Sequence, residues 1–375
     1  MDSIKPRITW KTFVLPAIGL LAFLVYLILF RVDIPGIVEK ARLVDPLTYS
    51  IAIILVVIDP LLFAASWWIM LNFLSVKVSV FKAYLYTWYG IFIDIIIPGE
   101  SVSSDISRVY LVTRDVPGTS GKAVASVVTH RLMSMGMTVA TMVFGTAMLL
   151  REGQTNTVFF NLSLLSAIIT VIFLVFLILL CTKEAWAMKI VNRILGFVEY
   201  LGRGRWKLDK IREEAHKAAS IFHEAMKEIG RTPRVLAEST LLFVMSWIAS
   251  ASVPYFVFLA IGFPVDWSAI LVTSAIVSAI KSIPIGVPFE VGLPEIVMTL
   301  LYGFVSPLVT TQIAATVTVL TRILTLWLRF FIGFVAQQWL EFKAIKTPTA
   351  GLEEQRGITS SLVRSKGRLC NDSHD

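Results

Sequence analysis

The sequence is poor in charged residues and in cysteine, and each shortage excludes a class of protein. Asp, Glu, Lys and Arg make up 16% of the 375 residues, whereas soluble domains carry about 25%. Hydrophobic residues reach 56%, and the mean hydropathy is +0.76. This composition excludes an ordinary soluble domain and predicts an all-α polytopic membrane protein. The two cysteines, Cys181 and Cys370, are too few to predict a disulfide framework or a metal site.

Motifs of the common enzyme classes are missing too. The chain has no P-loop, no His-Glu metal box, no nucleophile elbow and no dinucleotide fingerprint. We therefore expect no cofactor, no metal and no enzymatic activity of these classes, while lipid transfer by a membrane-embedded enzyme stays open. No nucleic-acid motif accompanies the net charge of +8, so we expect no nucleic-acid partner.

The basic residues form two clusters that predict the orientation of the chain in the membrane. Twelve Lys and Arg lie between Lys183 and Arg234, and six lie between Lys343 and Arg368. Such clusters mark cytoplasmic segments beside anionic lipid. We therefore predict a plasma-membrane protein whose N- and C-termini are both cytoplasmic.

Six apolar runs have about the length that crosses a bilayer, roughly 20 residues. They are 12–30, 49–74, 121–150, 157–181, 235–262 and 308–340. The first run follows basic residues, as a signal peptide does, but it is long and no small-residue cleavage site follows it. We therefore predict that it is a retained helix.

The chain divides into five predicted parts around these runs. They are an N-terminal helix with an external loop in 1–48, a first membrane half in 49–182, a cytoplasmic segment in 183–234, a second membrane half in 235–342, and a basic, disordered cytoplasmic tail in 343–375. Within the cytoplasmic segment, apolar residues recur every three or four positions from Ile211 to Ile229. This period predicts an amphipathic helix, which we expect on the inner membrane surface.

The region 80–119 is apolar at its start but too short to span. The run from Ala83 to Ile97 holds about 15 residues, and at about 1.5 Å per residue it cannot cross a hydrocarbon core about 30 Å thick. Pro98 and Gly99 then end the helix. We predict a broken helical hairpin in this region.

The region 266–306 repeats this plan. Its short apolar run meets "IPIGVPFEVGLPE", in which Pro288 and Gly292 are predicted to break the helix. The number of membrane crossings places both basic clusters in the cytoplasm only if each broken region starts and ends on the same side of the membrane. We therefore predict two re-entrant hairpins in halves of opposite orientation, the inverted repeat of many secondary transporters.

The residues after the first break can bind phosphate. Ser101, Asp105 and Arg108 share one helical face, at spacings of four and three. Ser101 or Ser103 can cap the helix that starts after the break, whose free N–H groups attract phosphate, and Arg108 adds a bidentate partner. A local ion pair between Asp105 and Arg108 is the structural alternative. Glu100 and Asp105 either pair with neighbouring arginines or bind a coupling proton or cation.

Other ionisable residues lie inside apolar helices, where charge is expensive and each such group is a functional candidate. Arg131 is predicted about 15 Å along its helix, too deep for its side chain to reach the interface, and Arg322 lies near the middle of the last span. We expect Arg329 to reach the inner surface and His130 to be a hydrogen-bonded neighbour. Lys281, Glu290 and Glu295 flank the second break and can neutralise one another, and Glu295 is also a candidate proton or cation site. Asp59 and Asp94 are single acids in apolar helices, each either a protonated, hydrogen-bonded group or a proton-coupling site.

The stretch "PGESVSSDISRVYLVTRDVPGTSGKAVASVVTHRL" resembles the first signature of the lysylphosphatidylglycerol synthase transmembrane, or flippase-like, family. In that signature a Pro-Gly turn precedes an acidic residue and an arginine, and an "ASVV…R" helix follows. The second signature is similar to "PFEVGLPE", where Pro288, Gly292 and Glu295 match, whereas Phe289 and Glu290 replace a glycine pair. The region around Arg322 resembles the closing helix of the family.

The resemblance implies transfer of anionic, aminoacylated or isoprenoid-phosphate lipids between leaflets in bacteria and archaea. Aminoacylating members add a large soluble domain, and this chain ends about 35 residues after its last predicted helix, so we expect no such activity. We predict a lipid flippase or scramblase in which Arg108, Arg131 and Arg322 hold the lipid phosphate. An enzyme or accessory subunit of lipid-linked glycan synthesis, and an ion or small-solute transporter, are the alternatives. Membrane lipids are the expected partners; a homo-oligomer and enzymes of lipid or glycan synthesis stay open.

Overall fold

The computed structural model describes residues 42–97, 101–151, 157–186, 209–281, 292–306 and 308–346, with a few isolated positions between them. All regular secondary structure in these ranges is helical. In chain order the helices are α1 (Pro46–Phe73), α2 (Val80–Ile96), α3 (Val102–Asp115), α4 (Ser120–Arg151), α5 (Thr157–Thr182), α6 (Asp209–Arg231), α7 (Pro233–Ala260), α8 (Trp267–Lys281), α9 (Leu293–Val305), α10 (Thr311–Arg322) and α11 (Arg329–Lys346).

Five helical runs within the described ranges are long and apolar enough to cross a membrane. They are α1, α4, most of α5, α7, and the run Thr311–Phe342 that joins α10 to α11. These five match five of the six predicted spans, and the sixth, 12–30, lies outside the described residues. The prediction of an all-α polytopic membrane protein is confirmed.

The last span is not the single regular helix that the sequence predicts. A π-helical segment, Ile323–Leu328, separates α10 from α11. A π-turn takes one residue more than an α-turn, so it rotates every later side chain about the helix axis. Arg322 and Arg329 therefore do not share one face as they would in a regular helix, and they pair with different acids, Glu295 and Asp59.

Helices α1 and α7 cross in an antiparallel pair at the centre of the bundle. The Ser66 hydroxyl donates to the Ser239 carbonyl at 2.8 Å, and the Ser239 hydroxyl donates back to the Ser66 carbonyl at 2.8 Å. Farther along, the Ser246 hydroxyl donates to the Asp59 carboxylate at 2.6 Å. Small hydroxyl residues at such a crossing let two helix backbones approach closely.

Helices α2 and α3 form an antiparallel hairpin. At its open end, Lys82 Nζ and the Tyr86 hydroxyl lie 2.6 and 2.5 Å from the Asp115 carboxylate. Burial raises the pKa of Asp115, but the hydrogen bonds from Lys82 and Tyr86 outweigh it and leave the pKa below its usual value. At the closed end, α3 approaches α2 at Gly90, where a Cβ would lie 2.5 Å from Ser104 Oγ. The start of α2 and the end of α3 therefore lie close together.

The same order of helices occurs twice: a long helix, two short helices and another long helix form α1–α4 and again α7–α11. α7 starts with a proline at its first turn, as α1 does, and each of these helices ends in the same turn, in which Leu74 or Ile261 donates its N–H four residues back. A residue in the left-handed region follows each turn, Ser75 in one half and Gly262 in the other. Across the halves, α2 packs on α11 and α8 packs on α4, so the contacts between elements are equivalent as well.

Helix α6 covers the stretch predicted as an amphipathic helix, and it packs on α4. Ala225 and Ile229 are buried and belong to one core cluster with side chains from α1, α2, α3 and α4. At Gly121 of α4, a Cβ would lie 2.5 Å from the Ala218 carbonyl oxygen. Part of the apolar face of α6 therefore packs on the bundle itself, which the expectation of a helix on the membrane surface did not include.

Glycine at position 333 should be required for the packing of α11 on α2. A Cβ there would lie 2.8 Å from both Phe92 Cβ and the Trp88 carbonyl oxygen, so one of the two helices must shift. We predict that Gly333→Ala lowers the stability in detergent by about 1–3 kcal/mol, the usual cost of overpacking.

Gly136 of α4 is the matched control, because a Cβ there meets nothing within 4 Å. Gly136→Ala should leave the thermal midpoint unchanged or raise it, since alanine reduces the entropy of the unfolded chain. Equal midpoints for the two variants in thermal unfolding would contradict this packing.

Candidate functional site

A cavity of about 270 Å³ lies among α1, α2, α3, α4 and α7, close to the start of α11. Its wall is polar and charged, which is unusual inside a membrane bundle. Three carboxylates, three guanidinium groups and one imidazole line it: Asp59, Asp94, Asp105, Arg108, Arg131, Arg329 and His130. The structure therefore brings together Ser101, Asp105, Arg108 and Arg131, as the sequence predicts.

Arg108 is the most buried of these arginines, with 3% of its surface exposed. One guanidinium nitrogen, Nη2, pairs with Asp105, which is the predicted local ion pair. The guanidinium carbon also lies 4.9 Å from the ring centres of both Phe63 and Trp67. Within the described part of the chain, Nε and Nη1 have no hydrogen-bond partner. A buried donor without a partner costs about 1–3 kcal/mol, so a ligand acceptor that reached Nε or Nη1 of Arg108 would remove that cost.

Asp94 occupies the N-terminus of α3, where the sequence predicts phosphate. Its Oδ1 accepts hydrogen bonds from the Ser101 N–H at 2.7 Å and from the Ser103 hydroxyl at 2.5 Å. Ser101 has a φ of 70° and makes no side-chain cap. The predicted capping by a serine hydroxyl is therefore wrong. The helix N-terminus attracts any anion, and the hairpin holds a carboxylate within reach of it.

Asp59 and Arg329 form an ion pair that sequence reasoning missed. Arg329 Nη2 lies 2.6 Å from Asp59 Oδ2, which joins α11 to α1 across the cavity wall. The sequence predicts Arg329 at the inner surface, and the π-helical segment before it is what turns it towards Asp59. The sequence does contain a signal for this pair. Asp59 and Arg329 are opposite charges in two apolar runs, and such charges pair with each other when they are buried.

His130 is a hydrogen-bonded neighbour of the cavity, as predicted. Only 1% of its surface is exposed, and Nε2 lies 3.1 Å from the Ser66 hydroxyl oxygen. Its ring meets Phe63 and Phe243 edge-on, with ring centres 4.3 and 4.9 Å apart. The imidazole thus ties α4 to the crossing of α1 and α7.

Arg322 is not among the residues that line the cavity. Its Nε lies 2.5 Å from Glu295 Oε1, and both residues are at least 95% buried. Glu295 also accepts the Gly292 N–H at 2.6 Å, and Gly292 has a φ of 103°, which suits the predicted helix break. Glu295 thus has the ion-pairing role among those predicted for it. Arg322, which is predicted to hold the lipid phosphate with Arg108 and Arg131, pairs with Glu295 and does not line the cavity where those two arginines lie.

Several predicted positions cannot be placed. Pro98, Gly99, Glu100, Pro288 and Glu290 lie outside the described residues, as does the side chain of Lys281 at the end of α8. No group of three or more His, Cys, Asp or Glu that could hold a metal ion occurs in the described ranges.

Comparison with known proteins gives a family and one relative. The profile described as "Lysylphosphatidylglycerol synthase TM region" matches residues 14–333. A UPF0104 membrane protein from Pyrococcus horikoshii is 24% identical over 326 residues, which cover 86% of this chain and 95% of that protein. No solved structure matches the chain significantly.

The pair of Arg322 and Glu295 should be a structural ion pair. Arg322→Ala leaves a carboxylate buried without its partner, and we expect a loss of about 3–5 kcal/mol in the free energy of unfolding. The double variant Glu295→Leu/Arg322→Met should lose less, because it leaves no unpaired charge. Chemical unfolding in detergent micelles measures both.

Arg234→Ala provides the matched surface control. Its partner is Glu238 at 2.9 Å, and the Arg234 side chain is 87% exposed, so its loss should change stability by no more than about 1 kcal/mol. A loss for Arg322→Ala as small as for Arg234→Ala would refute the buried-pair assignment.

Proposed function

Because the chain belongs to the lysylphosphatidylglycerol synthase transmembrane-region family, we propose that it moves phosphate-bearing lipids between the leaflets of the plasma membrane. The observation that carries this proposal is Arg108, a buried guanidinium with donors to spare inside a membrane bundle. Arg131 and Arg329 line the same cavity. Three guanidinium groups around one space suit a phosphate, which arginine binds through paired hydrogen bonds.

The exposed face of α3 supports entry of the head group from the lipid side. Val102, Ile106 and Tyr110 repeat every four residues on this face, and their exposure runs from 48% to 64%. Ser104 and Arg108 on the opposite face line the cavity. A single helix therefore separates the cavity from the surface that we assign to lipid. The polar head group would pass behind α3 while the acyl chains stay in the hydrocarbon.

We further propose that α2–α3 and α8–α9 are re-entrant hairpins in an inverted repeat. The antiparallel crossing of α1 and α7, and the equivalent contacts of the two halves, support this arrangement. The contacts of Asp115 with the start of α2 support a hairpin that returns to its own side. In the second half, the rings of Phe258 and Tyr302, 5.1 Å apart, bring the end of α9 back to the end of α7.

The proposed protein is a transporter and not an enzyme, with its termini in the cytoplasm. The basic segments 183–234 and 343–375 support that orientation through their attraction to anionic lipid. A transporter of small anionic solutes would use the same guanidinium groups. The two functions differ in whether the anion carries acyl chains, and direct transport measurements distinguish them.

Removal of Arg108 should abolish lipid movement. In proteoliposomes that contain fluorescent phosphatidylglycerol, we expect Arg108→Ala to reduce protein-dependent exposure of the lipid at least tenfold. Arg108 lies within the cavity, and the loss of a charged hydrogen bond of about 1.5–3 kcal/mol corresponds to at least that factor. Arg114→Ala is the control on the same helix, because that side chain is 36% exposed and does not line the cavity. Equal rates with wild type, Arg108→Ala and empty liposomes would reject lipid transport.

Cysteine labelling tests the proposed topology. In a background of Cys181→Ser and Cys370→Ser, single cysteines at Lys77, Pro117 and Pro264 place a reporter at three exposed turns. We expect Lys77→Cys and Pro117→Cys to react from one side of the membrane and Pro264→Cys from the other. Labelling of Lys77→Cys and Pro264→Cys from the same side would reject the inverted repeat, and opposite sides for Lys77→Cys and Pro117→Cys would reject the re-entrant hairpin.

A further inference from the structure

The three described carboxylates of the cavity already have donors. Asp59 accepts from Arg329 and from the Ser246 hydroxyl, each at 2.6 Å. Asp94 accepts the Ser101 N–H and the Ser103 hydroxyl, and Asp105 pairs with Arg108. A ligand ammonium group would therefore have to share one of these acids with a donor of the protein.

The fully buried side-chain atoms of the cavity residues that have no hydrogen-bond partner are all donor atoms. Among the described residues, Arg108 Nε and Nη1, Arg329 Nε and Trp247 Nε1 are buried without a partner, and all three residues line the cavity. Each of these atoms can only donate. A ligand that satisfies them must present acceptor oxygens, and two of the three residues favour a negative charge on those oxygens.

Part of the aromatic surface near the cavity already faces a cation of the protein. Arg108 lies over the rings of Phe63 and Trp67, each 4.9 Å from the guanidinium carbon, and Phe63 meets His130 at its edge. The ring faces that contact Arg108 are therefore not free to bind a ligand ammonium group. A second cation beside Arg108 would meet like-charge repulsion in a site of low dielectric constant.

We infer that the cavity selects an anionic phosphate head group that carries no ammonium group. This inference rests on the proposed function and narrows it, because it favours phosphate esters without an amine over zwitterionic and aminoacylated lipids. Hydroxyl groups of Ser104, Ser134 and Ser250 also line the cavity, and they can bond to the hydroxyls of a glycerol or sugar on the phosphate. Phosphatidylglycerol is therefore the favoured test lipid.

Binding of soluble head groups tests the inference without lipid movement. With the full chain purified in detergent, thermal stabilisation is titrated with glycerol 3-phosphate, phosphoethanolamine and phosphocholine. We expect half-maximal stabilisation by glycerol phosphate at a concentration at least about tenfold lower than by either amine, because placing a ligand ammonium group beside guanidinium groups costs more than about 1.4 kcal/mol. Equal concentrations for the three compounds, or no stabilisation by any, would overturn the inference.

Transport of matched lipids tests the inference and the proposed function separately. Proteoliposomes carry tail-labelled phosphatidylglycerol, phosphatidylethanolamine or lysylphosphatidylglycerol with identical acyl chains. Movement of phosphatidylglycerol at least about tenfold faster than the other two supports both statements. Equal movement of all three overturns the head-group inference and keeps the lipid transporter. Uptake of free glycerol phosphate without lipid movement overturns the lipid transporter and keeps the ligand chemistry.

A charge change at the pair of Asp59 and Arg329 supplies an internal control. Arg329→Gln leaves the Asp59 carboxylate without its guanidinium partner, so the preference for glycerol phosphate over phosphoethanolamine should fall at least about threefold. The double variant Asp59→Asn/Arg329→Gln also removes the negative charge of Asp59 and should restore the preference for glycerol phosphate. An unchanged preference in Arg329→Gln would contradict the claim that pairing of the Asp59 carboxylate excludes ligand ammonium groups. Circular dichroism of each variant shows that it remains folded.

Discussion

The constraint on which this structure depends is the cost of an ionised group inside a membrane bundle. An isolated buried charge costs several kcal/mol, so a chain keeps such groups only in pairs or at functional sites. Glu295 and Arg322 pair with each other, and Asp59 accepts hydrogen bonds from Arg329 and from the Ser246 hydroxyl. Arg108 departs furthest from this rule, because two of its buried nitrogens, against one of Arg329, have no partner among the described residues. That imbalance is the physical basis of the assigned site.

Equivalent arginines in the two halves of the chain have different surroundings. Arg131 and Arg322 stand at equivalent distances from the starts of α4 and α10, yet Arg131 lines the cavity and Arg322 is sealed by Glu295. The first hairpin therefore contributes an accessible charged face, whereas the second contributes a buried ion pair that fixes α9 to α10. In the proposed inverted repeat, the first half would therefore form the binding region, and the second half would form a rigid frame.

The sequence predicts what depends on length, period and helix breakers. The five described spans follow from runs of apolar residues, and the short helices α2 and α8 follow from apolar runs too short to cross a membrane. The grouping of Asp105 and Arg108 follows from helical spacing. The place of Asp94 does not, because it depends on how α2 folds back on α3. The partners of Arg322 and Arg329 also depend on tertiary contacts, and the π-helical segment between them changes the rotation that a regular helix would give.

The most direct test of the central claim observes Arg108 itself. The full chain is labelled with ¹⁵N-arginine, and the Arg108 resonance is assigned by its loss in Arg108→Lys. We expect glycerol 3-phosphate to shift the Arg108 Nε–H signal. The Arg322 Nε–H signal should stay in place, because Glu295 already holds that atom. An Arg108 signal that does not respond, or one that moves no more than the Arg322 signal, would contradict the assignment of Arg108 as the phosphate-binding group.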